Sequence, residues 1–192
     1  MRTVPTAIPG PAPMTVQFVR LVRRRPLRCE DSSMMEPWDL IVEAMTEPDA
    51  RAIVAWRYPE PYAFYNWSTF PDDVEELLDP TGWGTVFFVA RDPKKGLVGY
   101  FDFHTIDRPA ADSLGVGLGM RPDLTGQGRG RAFVESGLRF ATERFRPQRF
   151  VLRVATFNER AIRVYEALGF RRLGVEPGPM LGIEFLSMER SA

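Results

Sequence analysis

Leu118-Gly119-Met120-Arg121-Pro122-Asp123-Leu124-Thr125-Gly126-Gln127-Gly128-Arg129-Gly130-Arg131 is a strand-like run that breaks into a glycine-rich turn and then opens a helix. The alternate glycines 126, 128 and 130 free the backbone to turn successive N–H groups toward one point. A helix beginning there adds unpaired N–H donors and the positive end of its dipole. Such a loop suits a phosphate or pyrophosphate. A nucleotide-hydrolysing loop would follow its glycines with Lys-Ser/Thr, and Arg131-Ala132 stands there instead. A dinucleotide-binding fold would carry its glycines after the first strand of a βαβ unit, with an acidic residue ~20 positions on. Here the loop comes late in the chain and follows three strands.

Toward the C-terminus, a strand over Arg149 to Ala155 leads to Asn158-Glu159-Arg160-Ala161-Ile162-Arg163-Val164-Tyr165-Glu166-Ala167-Leu168-Gly169-Phe170. Asn158 reads as an N-cap and Gly169 as the C-terminal stop of a helix over Glu159 to Leu168. Asn158 and Tyr165 lie about two turns apart and can project from a similar side. Tyr165 taken alone reads equally as a core aromatic beside Ile162, Val164 and Leu168. Strands near Phe170 to Val175 and Ile183 to Glu189 follow. Toward the N-terminus, Ser113 to Met120, Leu97 to Thr105 and Thr85 to Arg91 form an antiparallel meander, preceded by short helices at Pro71 to Leu78 and from Thr46-Glu47-Pro48-Asp49 to Trp56. A strand over Trp38 to Met45 starts the domain. The alternation predicts an α/β (α+β) domain over 35–192, with a mixed, mainly antiparallel sheet of about seven strands flanked by helices.

The 192 residues suit one hydrophobic core. Residues 1–34, with Pro5, Pro9, Pro11 and Pro13 followed by Arg20, Arg23, Arg24, Arg25 and Arg28, read as a disordered N-terminal extension. They lack the apolar stretch of a secretory signal. The formal net charge is zero, so no bulk field draws nucleic acid or an anionic membrane to the chain. One cysteine, Cys29, and one histidine, His104, leave no metal-ligand cluster and no internal disulfide. No apolar run approaches the ~20 residues of a spanning helix. A cytoplasmic protein with no metal, no nucleic-acid partner and no membrane partner is expected, and a homodimer is left open.

The glycine loop and the Asn158–Phe170 helix together, in this order and separation, resemble the GNAT N-acetyltransferase superfamily. Its coenzyme A signature is usually Arg/Gln-x-x-Gly-x-Gly/Ala, and its later helix runs Asn-x-x-Ala-x-x-x-Tyr-x-x-x-Gly-Phe. Thr125 stands where that family usually has arginine or glutamine, and Gln127 lies two positions later. The resemblance, covering about residues 35 to 190, implies a sheet splayed at a cofactor cleft and acetyl-CoA as co-substrate. It implies that Leu118, Gly119 and Met120 pair through backbone groups with the acyl carbonyl and pantetheine arm, and that a bulge near Gly117 and Gly119 splays their strand. It further implies that the backbone N–H groups of Gly126, Gln127, Gly128, Arg129, Gly130 and Arg131 hold the pyrophosphate, that Asn158 binds the pantetheine side, and that Tyr165 lies beside the sulfur.

Aminolysis of a thioester needs a neutral amine, a polarised carbonyl and a protonated leaving thiolate. On this resemblance the Leu118 N–H polarises the carbonyl and Tyr165 is the general acid. Strand alternation puts Asp102 and His104 on one face with Tyr100, opposite Phe101 and Phe103, which makes both candidate bases; both equally suit the polar face of a half-buried strand. Trp56, Tyr58, Tyr62, Phe64, Tyr65 and Trp67, with Glu60, crowd the segment that borders the acceptor site in this family. An aromatic wall with one carboxylate suits a cationic amine; the same residues equally suit a loop anchored on the core. The expected activity is acetyl transfer to a primary amine of a small molecule. A protein or peptide N-acetyltransferase and a non-catalytic acyl-CoA-binding sensor domain are the alternatives.

Overall fold

The computed structural model describes residues 38–106, 112–178 and 182–192, so the expected extension over 1–34 lies outside the described residues. Seven strands form one sheet: β1 (Ile41–Ala44), β2 (Phe87–Asp92), β3 (Gly96–Thr105), β4 (Ser113–Met120), β5 (Arg149–Ala155), β6 (Arg171–Pro177) and β7 (Glu184–Ser191), in the order β1-β2-β3-β4-β5-β7-β6. Every neighbouring pair is antiparallel except β4 and β5. The four α-helices are α1 (Glu47–Val54), α2 (Pro71–Leu78), α3 (Gly130–Phe145) and α4 (Glu159–Ala167). Short 3-10 turns at Tyr62–Tyr65, Trp67–Thr69, Pro80–Gly82 and Pro122–Leu124 occupy stretches that hydrophobic periodicity leaves blank.

Alternation along β2 and β3 divides the sheet into two cores. Phe88, Phe101 and Phe103 face α3 and α4 and pack with Phe133, Leu138, Ile162 and Tyr165. Phe87, Val89 and Tyr100 face α1 and α2 and meet Ile53, Trp56 and Leu77. Close approach of α3 to β3 requires two glycines. A Cβ on Gly99 would come within 2.3 Å of the Phe133 ring, and one on Gly137 within 2.2 Å of the Phe101 ring. With neither present, Phe101 and Phe133 stack at 4.7 Å between centroids.

Helix α1 starts where Thr46-Glu47-Pro48-Asp49 predicts. The Thr46 N–H donates to Asp49 Oδ2 at 3.0 Å, and Pro48 sits in the first turn, where its missing N–H has no consequence. Asp49 is only 5% exposed, and Arg91 of β2 donates to both of its oxygens at 2.8 and 2.7 Å. One carboxylate therefore caps the helix and ties it to the sheet. Asp49→Ala removes both interactions and leaves Arg91 with Glu43 alone. We expect a loss of about 2–4 kcal/mol, read as a lower urea midpoint with an unchanged m-value.

Candidate active site

The site begins where two parallel strands part. β4 and β5 pair at only three positions, Ser113 with Arg149, Leu114 with Phe150 and Gly115 with Val151. Beyond Gly115 the strands diverge, while β4 continues against β3 to the Gly99–Met120 pair without a register shift. The expected bulge near Gly117 and Gly119 is therefore absent, and the splay comes from the departure of β5. The register also fixes which backbone groups enter the gap. The Arg121 N–H donates to Val98 O at 2.8 Å, so Gly115, Gly117 and Gly119, in phase with Arg121, direct their N–H and C=O groups to β3. Val116, Leu118 and Met120 turn theirs away, toward the missing strand. Gly119 thus has no backbone group free for a ligand. The Met120 carbonyl accepts from the Tyr58 hydroxyl at 2.8 Å. Of the three residues expected to bind the acyl arm, Leu118 retains its whole peptide pair toward the cleft.

The glycines of β4 have a different purpose from bulge formation. Gly119, Gly117 and Gly115 stand directly opposite Tyr100, Asp102 and His104. A Cβ on them would lie 2.3 Å from the Tyr100 ring, 1.7 Å from Asp102 Oδ2 and 2.3 Å from His104 Nε2. Three β3 side chains therefore lie flat across β4 and reach the gap beyond it. Asp102 Oδ1 and His104 Nδ1 are 2.8 Å apart. That hydrogen bond holds the imidazole above its ordinary pKa of about 6.5 against the opposing effect of burial. The pair borders a cavity of about 250 Å³ that also contains the buried Ser187 hydroxyl, which has no partner among the described residues. This cavity shares Val116, Gly117 and Arg153 with a larger cleft of about 380 Å³.

The larger cleft runs from the gap to the glycine loop. Gly126 and Gly128 have φ of 73° and 74°, the left-handed region that a Cβ penalises. Thr125 Oγ1 bonds Pro122 O at 2.8 Å and Gln127 Nε2 bonds Asp123 O at 2.6 Å, so both side chains brace the loop. The Gln127 side chain thus serves the loop itself, and only its backbone N–H is left for a ligand. The Arg129 guanidinium lies 5.0 Å from the Trp38 ring, and Arg131 pairs with Glu135 at 3.1 Å. The first α3 N–H with a backbone acceptor is Phe133, bonded to Arg129 O. From Gly126 to Ala132 the backbone N–H groups have no acceptor among the described residues, and they surround the start of a sixteen-residue helix. Donors grouped in this way at a helix start have the geometry that suits an anion.

α4 supplies the opposite wall. Asn158 caps it, accepting from the Ala161 N–H at 3.3 Å, and its amide nitrogen donates to the Tyr65 hydroxyl at 3.4 Å. That hydroxyl also accepts from the Ala155 N–H at 3.2 Å, satisfying a group that β5 exposes by leaving β4. Tyr165 lines the cleft, is 8% exposed, and has no hydrogen bond among the described residues. Burial, then the neighbouring Tyr65, raises its phenol well above the ordinary value, so it is protonated throughout the neutral range. On the acceptor side, Tyr58, Tyr62 and Tyr65 line the cleft, Trp56 is buried with Tyr100 in the second core, and Glu60 is exposed outside the lining. The aromatic wall exists without its expected carboxylate. The tethering bonds of Tyr58 and Tyr65 escaped sequence reading because their partners lie 62 and 90 residues away.

The sheet splits between β4 and β5, and a run of unpaired backbone N–H groups lies at one end of the resulting cleft. The acetyltransferase (GNAT) domain family matches residues 39–171. The chain belongs to that family. It is 32% identical over 98 residues to a mycothiol acetyltransferase of Salinispora tropica, a match covering 50% of this chain and 32% of that protein. It is 34% identical over 88 residues to the Salinispora arenicola protein of the same name, covering 45% and 29%. The chain thus spans about a third of the length of these relatives. The fold is shared with spermidine N-acetyltransferase from Vibrio cholerae in complex with CoA and spermine, with TM-score 0.65 and 24% identity, covering 79% of this chain and 95% of that one. Among the described residues no helix is long and apolar enough to cross a membrane.

Because His104 is the sole histidine, its Hε1 and Hδ2 ring protons report one imidazole without overlap from others in a proton NMR titration. We expect a midpoint above the ordinary 6.5 in the wild type. Gly117→Ala, whose methyl would displace the Asp102 carboxylate, should move it down, as should Asp102→Asn. An unchanged midpoint in both variants would refute the arrangement.

Proposed function

We propose that this chain is an N-acetyltransferase that takes acetyl from acetyl-CoA and transfers it to a primary amine of a small molecule by direct attack. The observation that carries the proposal is the uninterrupted run of unpaired N–H groups from Gly126 to Ala132, in one cleft with the unpaired Leu118 peptide and the Tyr165 phenol. The donor set fits the co-substrate. The loop and helix start suit its pyrophosphate, Arg129 and Arg131 add positive charge, and the Leu118 peptide can meet the amide-bearing pantetheine arm and acyl carbonyl as a missing strand would. Asn158 borders the same path, although its oxygen already caps α4.

Within that cleft the Leu118 N–H supplies the dipole that stabilises negative charge on the carbonyl oxygen at attack. Tyr165 is the general acid for the departing sulfur. Burial that raises the phenol pKa weakens it as an acid, yet the same low-dielectric surroundings raise the pKa of a thiolate, so the proton transfer stays matched. The Asp102–His104 pair is the base for the amine proton, through water, from the side of the sheet that carries Tyr100. Because hydrogen bonding to Asp102 raises the imidazole pKa, the basic form dominates only at a pH higher than the ordinary 6.5 would require.

Release of free thiol from acetyl-CoA in the presence of a panel of small amines tests the activity. No release by a folded protein would sink it. Tyr165→Phe keeps the ring that packs on Phe170 and removes one hydroxyl. We expect kcat to fall ~10²–10⁴-fold with the CoA dissociation constant unchanged. Lost affinity with unchanged kcat would make Tyr165 a binding residue.

A further inference from the structure

The charged side chains lining the larger cleft are Arg131, Arg153 and Arg160, and no carboxylate is among its lining residues. Arg131 belongs to the glycine loop and already pairs with Glu135. The other two flank the end of β5, one on that strand and one in the first turn of α4. The Arg160 guanidinium lies 3.7 Å from the centroid of the Tyr62 ring and makes no hydrogen bond or ion pair among the described residues. It is half-buried, and its charge is felt at the Tyr58 and Tyr65 hydroxyls, so it sits within the tyrosine wall of the acceptor side. Arg153 lies 5.2 Å from the Phe185 ring and holds Glu176 only loosely, at 3.8 Å, with both side chains about half exposed. It stands where the two cavities meet, on the path between the cleft and Asp102–His104.

A guanidinium laid flat on an aromatic ring has its orientation set in advance and keeps its N–H edge for a planar acceptor. The Arg160 donors meet no protein acceptor among the described residues and only partly meet water, so they remain available to a planar oxyanion. A polycation would meet two like charges there at a cost that rises as water leaves the cleft. Resting on the proposed transferase activity, we propose that the acceptor is an amine that also carries an oxyanion, a carboxylate or a phosphate, which Arg160 binds with support from Arg153, while the amine lies toward Leu118. The fold shared with a polyamine acetyltransferase does not carry a polyamine preference to this chain, because the cleft has no carboxylate to hold one.

The test uses matched pairs at saturating acetyl-CoA: phenylalanine with phenethylamine, tyrosine with tyramine, phosphoethanolamine with ethanolamine, and spermidine beside them. We expect the oxyanion-bearing member of at least one pair to be favoured ~10-fold or more in kcat/KM. The amino-acid and phosphoethanolamine arms separate carboxylate from phosphate. Arg160→Gln should raise KM for the favoured amine ~10–100-fold, the scale of one lost charge-assisted hydrogen bond, and leave the CoA dissociation constant within about twofold. Preference for spermidine or for the members lacking the oxyanion would overturn the proposal. So would an Arg160→Gln variant that loses CoA affinity instead, since the guanidinium would then serve the co-substrate. Calorimetry of the same amines on the CoA-loaded protein separates this proposal from the transferase activity. Binding of an oxyanion-bearing amine without thiol release would uphold the site and sink the enzyme, whereas tighter spermidine binding, or binding of none, would sink the site.

Discussion

The parting of β4 from β5 after three residue pairs is the constraint on which the remaining features depend. Two parallel strands that separate expose backbone N–H and C=O groups on both sides of the gap, and buried groups of that kind must find partners. Here the partners come from several places. Tyr65, from a 3-10 turn far away in sequence, accepts from Ala155 on the β5 side, and Tyr58 donates to Met120 on the β4 side. The Leu118 peptide is left between them. A cleft built this way presents strand-like hydrogen bonding to any extended amide-bearing ligand, and its depth is set by the divergence of the two strands.

The glycines of β4 give the gap its chemistry from the other face. With no Cβ at positions 115, 117 and 119, the side chains of β3 cross the strand and reach the edge of the splay. Tyr100 thereby joins the larger cleft, and Asp102 with His104 borders the smaller one. A carboxylate directly beside an imidazole fixes the ring orientation and favours its protonated form. In the proposed reaction the same pair must take a proton, so this geometry pushes the working range toward the alkaline side of an ordinary histidine.

Charge is distributed unevenly along the cleft. The glycine loop offers backbone dipoles, and the neighbouring Arg129 and Arg131 are already engaged with Trp38 and Glu135. Arg160, by contrast, has only an aromatic face beneath it. Three tyrosines from the segment between α1 and α2 line the same cleft, with Arg153 of β5 and Arg160 of α4. Membership of the acetyltransferase (GNAT) family accounts for the sheet, and a fold by itself names no acceptor.

The sequence by itself determined the element order, because capping signals, prolines and the switch between two-residue and helical periodicity are local and act over a few residues. Thr46 to Asp49, Pro71, and Asn158 with Gly169 mark element ends that the structure reproduces to within one or two residues. The glycine loop was legible for the same reason, since positive φ at Gly126 and Gly128 is a property of those residues themselves. Only the tertiary structure decided what the β4 glycines accommodate, because their neighbours are cross-strand side chains rather than sequence neighbours. It likewise decided that Gln127 braces its own loop, that Glu60 stays outside the cleft while Arg153 and Arg160 enter it, and that Tyr58 and Tyr65 close the ends of the gap. Each of these depends on contacts between groups distant in the chain, whose distances and hydrogen-bond geometry exist only once the sheet and its helices have packed.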